Sequence, residues 1–249
     1  GSQTAPQTGN GITELSVVGS VIDPRLNPQG TAIAYTNELG EFRVIDAQNG
    51  QDLLCLQADS PTSMWGQAEF IAAEEMDRFQ GFWWAPDGAS LLVQHTDESP
   101  VGIWHIADPA HPAVPAKAQR YPAAGTPNAS VTLWHADLHS GERKQIEWDG
   151  AAFEYLARVS WTEGFAPVAQ VLSRDQQHSQ VLEAKVHTGE TTVLRALEDP
   201  QWIELSSAPR RDPEGRLVLL EDLDDRRRIT VDGRAISSTD WQVRAIVDC

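Results

Sequence analysis

Trp65-Gly66-Gln67-Ala68-Glu69-Phe70-Ile71-Ala72-Ala73-Glu74-Glu75-Met76-Asp77-Arg78-Phe79-Gln80-Gly81-Phe82-Trp83-Trp84-Ala85-Pro86-Asp87-Gly88 is the stretch on which the reading of this chain turns. Its second half, Phe82-Trp83-Trp84 leading to Pro86-Asp87-Gly88, reads as an aromatic strand entering a tight turn, because proline pre-sets φ and glycine tolerates positive φ. Its first half is helix-compatible and sets two carboxylates side by side at Glu74 and Glu75. A short helical insert thus presents an acidic pair just ahead of a rigid β element.

Outward from this stretch the chain is written in strands and turns. Before it come Ala32 to Tyr35, Phe42 to Ile45 and Asp52 to Leu56, with turns at Asn27 to Gly30 and Asn37 to Gly40 and a hairpin signal at Asn49-Gly50. After it the same order returns three times. The runs are Phe82 to Ala85, Ser90 to His95, Val101 to Ile106, Ser130 to Leu138 and Lys144 to Trp148; then Leu156 to Trp161, Val168 to Ser173, Gln180 to Val186 and Thr191 to Leu194; then Trp202 to Ser206, Leu217 to Leu220, Arg228 to Val231 and Ala235-Ile236. Trp241 to Val247 reads as the first strand of a fifth unit. The turn glycines 30, 88, 164 and 215 recur every ~50 to 75 residues, which fits a propeller period lengthened by insertions. The expectation is an all-β chain, a partial β-propeller of about four four-stranded blades plus one strand of a fifth. An irregular β-sandwich is the alternative that the pattern leaves open. The units fall at about 15–58, 80–149, 154–196 and 200–238, with the helical insert at 63–79, an extended arm at 108–127 and a flexible tail at 1–10.

Composition narrows the function. The chain has 249 residues, 41% of them hydrophobic, and nine tryptophans, which is enough for a packed globule. A formal net charge of −17 repels phosphate backbones and anionic membranes, so neither nucleic acid nor membrane is an expected partner. Cys55 and Cys249 are the two cysteines and give no disulfide framework; with no signal-peptide core in the sequence, a cytoplasmic location is expected. The seven histidines show no zinc-like spacing, and neither a metal nor a cofactor is expected.

The opening stretch resembles the double-glutamate segment of the dipeptidyl peptidase IV family. The resemblance is carried by Trp65-Gly66-x-Ala68-Glu69-Phe70, Glu74-Glu75-Met76-Asp77-Arg78 and Gly81 to Asp87, supported by Asp23-Pro24-Arg25-Leu26-Asn27-Pro28, Asp97-Glu98-Ser99-Pro100-Val101 and Arg120 to Asn128. These motifs run from about residue 21 to 131 in the family's order; residues 150 to 249 resemble it in repeat pattern alone. The resemblance implies part of an eight-bladed N-terminal propeller whose partner is a C-terminal α/β-hydrolase domain with a Ser, Asp, His triad. No Gly-x-Ser-x-Gly nucleophile elbow occurs in these residues, so no catalytic residue is assigned and the fragment alone is expected to be inactive. An arm at this position in the family helps to make a homodimer, and a plain surface loop is the other reading. Two four-bladed fragments are also candidates to complete one eight-bladed ring.

By the same resemblance, Glu74 and Glu75 bind the free amino terminus of a peptide substrate. The chemistry suits the residues: an α-ammonium is largely charged at neutral pH, and each charge-assisted hydrogen bond to a carboxylate contributes about 1.5 to 3 kcal/mol. Two extended residues reach only ~7 Å, so fixing the amine decides which peptide bond meets a nucleophile. Against this stands a solvated pair, since consecutive residues on a helix face different ways. Glu69 and Asp77 read as surface or capping residues, Trp83, Trp84, Trp161 and Trp202 as core aromatics, Arg226 to Arg228 as a solvated hairpin, and Asn128-Ala129-Ser130 as a weak glycosylation sequon. A β-propeller interaction scaffold with no peptidase activity is the alternative function.

Overall fold

Asparagine and aspartate side chains shape the turns. The computed structural model describes Ile12 and residues 14–247; the tail expected at 1–10 lies outside the described residues. The first sheet is a meander of β1 (Ile22–Leu26), β2 (Ala32–Thr36), β3 (Phe42–Asp46) and β4 (Asp52–Leu56). Asn27 Oδ1 accepts from the Thr31 and Ala32 N–H groups, Asn37 Oδ1 from Leu39 and Glu41, and Asp46 Oδ1 from Gln48 and Asn49. The turn glycines 30, 88, 164 and 215 have φ of 69°, 66°, 81° and 82°, the left-handed region that the turns require.

The second sheet is built on β7. Its members are β5 (Ser63–Trp65), β6 (Phe82–Trp84) beyond the helix α1 (Phe70–Glu75), β7 (Ser90–Asp97), β10 (Ser130–Asp137) and β11 (Arg143–Ile146). Between β7 and β10 the chain makes a separate ribbon of β8 (Ile103–Ile106) and β9 (Lys117–Arg120). This corrects the expectation that Val101 to Ile106 belongs to the blade. All four residues of β8 are exposed, whereas β10 pairs with β7 along its whole length and buries Leu133 and Ala136.

The third sheet is β12 (Tyr155–Ser160), β13 (Val168–Leu172), β14 (His178–Ala184) and β15 (Thr191–Glu198). The fourth is β16 (Arg210–Arg211), β17 (Leu217–Leu223), β18 (Arg226–Val231) and β19 (Arg234–Ala235). Its first strand is therefore not Trp202 to Ser206, which carries no strand, and Trp202 is 59% exposed, not a core aromatic. Trp241 to Val247 forms no strand either; Val243 and Ile246 pack instead against Val218 and Leu220 of the fourth sheet.

Strand alternation stacks the sheets face to face in chain order. In β7, Leu91 and Val93 join Phe42 and Val44 of the first sheet, while Leu92 joins Leu156 and Val171 of the third. In β13, Ala169 and Val171 face the second sheet, and Val168 joins Leu217 and Leu219 of the fourth. Each middle sheet thus buries both faces, as a propeller blade does and as a sheet of a two-layer sandwich does not. The chain is a partial β-propeller.

Candidate functional site

The helix that bears the acidic pair is spliced into the first strand of the second blade. β5 and β6 run end to end along one edge of β7, with Trp65 opposite His95 and Phe82 opposite Val93. The gap between them is closed by Gln94, whose carbonyl accepts from Gly66 N–H and whose N–H donates to the Gly81 carbonyl, both at 2.8 Å. Residues 67–80 therefore leave and re-enter the edge at one point, where Gln67 and Gln80 form a bridge. Glycine is required there. A Cβ on Gly81 would lie 2.4 Å from the Gly66 carbonyl, and Gly66, at φ 72°, would drive a Cβ to 2.6 Å from the Phe42 ring.

Local chemistry caps the helix at both ends. Glu69 Oε2 accepts from Ala72 N–H at 2.7 Å as the N-cap, and Asp77, with φ 50°, turns the chain out of the helix while Arg78 N–H donates to the Ala72 carbonyl at 2.9 Å. Two arginines then fasten it to the third blade. Arg78 donates to the carbonyls of Leu156 and Gln80 at 3.1 and 2.7 Å, and Arg158 to those of Met76 and Ser206 at 2.7 and 2.9 Å. Met76 packs between Tyr155, Ala157 and Leu172.

Glu69 is a capping residue as expected but not a surface one, being 5% exposed beside the equally buried Arg78. The Glu69 Oε1 to Arg78 Nη2 distance is 3.8 Å, and neither atom makes a hydrogen bond. Burial pushes the Glu69 carboxyl up, with Arg78 opposing, and lowers the Arg78 guanidinium to about 10, with Glu69 opposing. This pair is what the sequence reading missed. Its signal is an acid and a base nine residues apart that flank the helix.

Glu74 and Glu75 are both exposed and, among the described residues, neither carboxylate has a hydrogen bond or ion pair. They occupy the last turn of α1, which holds no basic residue. Anions at a helix C-terminus are unfavourable by about 0.3–1 kcal/mol, so the pair does not serve the helix that carries it. A cation arriving at this turn offsets the unfavourable negative charge at the helix end.

Beside the helix stands the β8–β9 ribbon. The rings of Phe70 and Tyr121 meet edge-on at 5.3 Å, and those of Tyr121 and Trp104 at 5.4 Å. On the return side, Asn128 Nδ2 donates to Glu154 at 2.9 Å and to the Tyr155 hydroxyl at 3.0 Å. The sequon nitrogen is thus engaged in holding the arm to the third blade. Of the arginine run, Arg227 pairs with Asp222 at 3.0 Å and Arg228 donates to the Ser237 carbonyl, so this hairpin is tied down rather than merely solvated.

Residues 3–248 match the family described as the dipeptidyl peptidase IV (DPP IV) N-terminal region, an extent beyond the motifs at 21 to 131. The chain is 27% identical over 203 residues to dipeptidyl peptidase 8 of Mus musculus and 26% identical over 202 residues to dipeptidyl peptidase 8 of Homo sapiens. Each alignment covers 69% of this chain but 22% of the relative, so the chain spans less than a quarter of those proteins. Its fold matches the crystal structure of Porphyromonas gingivalis dipeptidyl peptidase 4 with a TM-score of 0.79 at 17% identity, covering 92% of this chain and 34% of that one. No helix among the described residues is long and apolar enough to cross a membrane.

Proposed function

The chain belongs to the family of dipeptidyl peptidase IV N-terminal regions, and from that membership we propose that it is the substrate-positioning propeller of a serine dipeptidyl exopeptidase, in which Glu74 and Glu75 bind the α-ammonium of a peptide. The observation that carries the reading is a pair of exposed carboxylates, without a partner among the described residues, on a helix turn whose dipole opposes them and whose backbone is clamped by two arginines. A clamped helix holds the anchor at a fixed distance from whatever attacks the peptide. The nucleophile belongs to an α/β-hydrolase domain outside these residues, which bind but do not cleave.

In the full-length protein, Glu74→Gln with Glu75→Gln raises KM for a dipeptidyl p-nitroanilide with a free amino terminus about tenfold or more, the value of one charge-assisted bond. The N-acetylated substrate is unaffected. An equal change for both substrates overturns the anchoring role.

The arm at 108–127, whose strand Lys117–Arg120 pairs with β8, is proposed as the contact of a homodimer, supported by the exposed Ile103, Trp104 and Ile106 of β8 beside it. A variant with Ile103→Glu and Ile106→Glu then sediments as a monomer where the wild type is a dimer, and a monomeric wild type overturns this reading.

A further inference from the structure

We propose that Tyr121, at the foot of the β8–β9 ribbon, is a positioning residue for the acidic pair: its ring seats the N-terminal half of α1 and so sets where Glu74 and Glu75 meet an incoming ammonium. This rests on the amine-anchoring reading and adds to it a second element that controls the anchor.

A helix of six residues does not hold itself in water, so its attitude is set by what it touches. Its C-terminal end is fixed by Arg158 on the Met76 carbonyl and by Met76 in its pocket. At the other end, Phe70 is 37% exposed, and its ring contact is with Tyr121, at an interplanar angle of 74°. Tyr121 is itself braced. Its N–H donates to the Gly102 carbonyl at 3.0 Å, the Trp104 ring meets it edge-on, and the neighbouring Arg120 closes the foot through the Val101 carbonyl at 2.5 Å. Between Glu69, Phe70 and Ile71 on the helix and Glu98, Val101 and Arg120 on the foot lies a cavity of about 20 Å³, little more than one water. The two surfaces are therefore close to direct contact.

Phe70 and Glu74 are four residues apart and share a helix face. A turn of the helix about its own axis at Phe70 is thus carried to Glu74 on the same face, while the Met76 end keeps the helix from sliding along that axis. Among the described residues, the Tyr121 ring meets Phe70 and Trp104 and makes no hydrogen bond to either carboxylate. It acts through Phe70, which distinguishes it from the anchoring residues.

The test uses full-length protein with Tyr121→Ala and Tyr121→Phe, assayed on a dipeptidyl p-nitroanilide with a free amino terminus and on its N-acetylated form. Tyr121 is 41% exposed, so its truncation leaves the core intact. Loss of one aromatic contact corresponds to about a two- to tenfold rise in KM for the free-amine substrate. The expected result is that rise with kcat and the blocked substrate unchanged, wild-type values for Tyr121→Phe, and no added effect of Tyr121→Ala once Phe70→Ala is present. An unchanged KM, equal changes on both substrates, or additive effects of the two truncations overturn the inference. Parallel assay of the Glu74→Gln, Glu75→Gln variant separates the two readings. If it abolishes discrimination for the free amine while Tyr121→Ala does not alter it, the ribbon's role alone fails; if it too leaves discrimination intact, the anchoring reading fails.

Discussion

Gly81 stands against Gly66 so closely that it has no room for a side chain: a Cβ on Gly81 meets the Gly66 carbonyl at 2.4 Å. The pair lets one strand edge open, extrude residues 67–80 and close again without losing a hydrogen bond to Gln94. Gly81→Ala therefore has no flexible side chain to push aside, only backbone. It is expected to destabilise by about 1–3 kcal/mol or more, the cost of overpacking. Gly102→Ala, with nothing within 4 Å of the added atom and an ordinary φ, is the control and stays within ~0.5 kcal/mol. Urea melts of the two variants make the comparison, and equal midpoints would remove the steric argument for the splice.

The buried Glu69–Arg78 pair makes a prediction of a different kind. At 3.8 Å, with one unbonded atom on each side, the pair is an ion pair without a hydrogen bond, so removing one partner strands the other's charge in the interior. Arg78→Met is expected to cost about 3–5 kcal/mol, as for other broken buried pairs. Adding Glu69→Gln to it is expected to recover part of that loss, because the amide still accepts from Ala72 N–H and carries no charge. A double-mutant cycle on thermal or urea unfolding reads the coupling, and strictly additive losses contradict it.

Arg158 offers a local test of the clamp. Its guanidinium satisfies the carbonyls of Met76, Ser206 and Ala157, three acceptors on separate stretches of chain. Arg158→Met leaves them without that donor, and each buried unmet acceptor costs about 1–3 kcal/mol. The expected signature is faster amide exchange at Ala73 and Arg78, whose N–H groups close α1, ahead of any change in β7. Uniform acceleration across both elements is the outcome that contradicts a local clamp.

Much of the architecture is legible in the sequence because propeller hairpins are local: a strand, an aspartate or asparagine turn and a glycine at positive φ stand within a few residues of one another. What failed to read is non-local. Ser63-Met64-Trp65 is too short to show a period and becomes a strand only because β7 has a free edge beyond Phe82. Ile103 to Ile106 has the composition of a core strand, yet its partner is Lys117–Arg120 rather than a sheet, so its apolar residues stay outside. Trp202 misled for the same reason, since residue type records what can be buried and topology decides what is. At the site, the doublet at Glu74 and Glu75 stands out by its adjacency, whereas Glu69 and Arg78 look like surface residues until the third blade covers them.

The seam between the second and third blades carries a pH-dependent element. His135 is 6% exposed, with the rings of His187 and Trp161 at 6.0 and 6.2 Å. Burial, reinforced by the nearby His187, lowers its pKa, against the opposing carboxylates of Asp137 and Asp87. The folded chain therefore binds a proton at His135 less readily than the unfolded chain, whose histidine titrates near ~6.5. The stabilising contribution of neutral His135 is present above that value and is lost as pH falls towards the lower folded-state pKa. Between pH 7.5 and 5 the melting temperature should drop, and His135→Gln should flatten the part of that slope due to this residue. His95, whose pKa burial also lowers against the opposing carboxylates of Asp59 and Asp97, contributes with the same sign and remains in the variant, so the slope is reduced, not abolished. An identical pH profile for wild type and His135→Gln shows that the imidazole stays solvated enough to take up its proton without disturbing the joint.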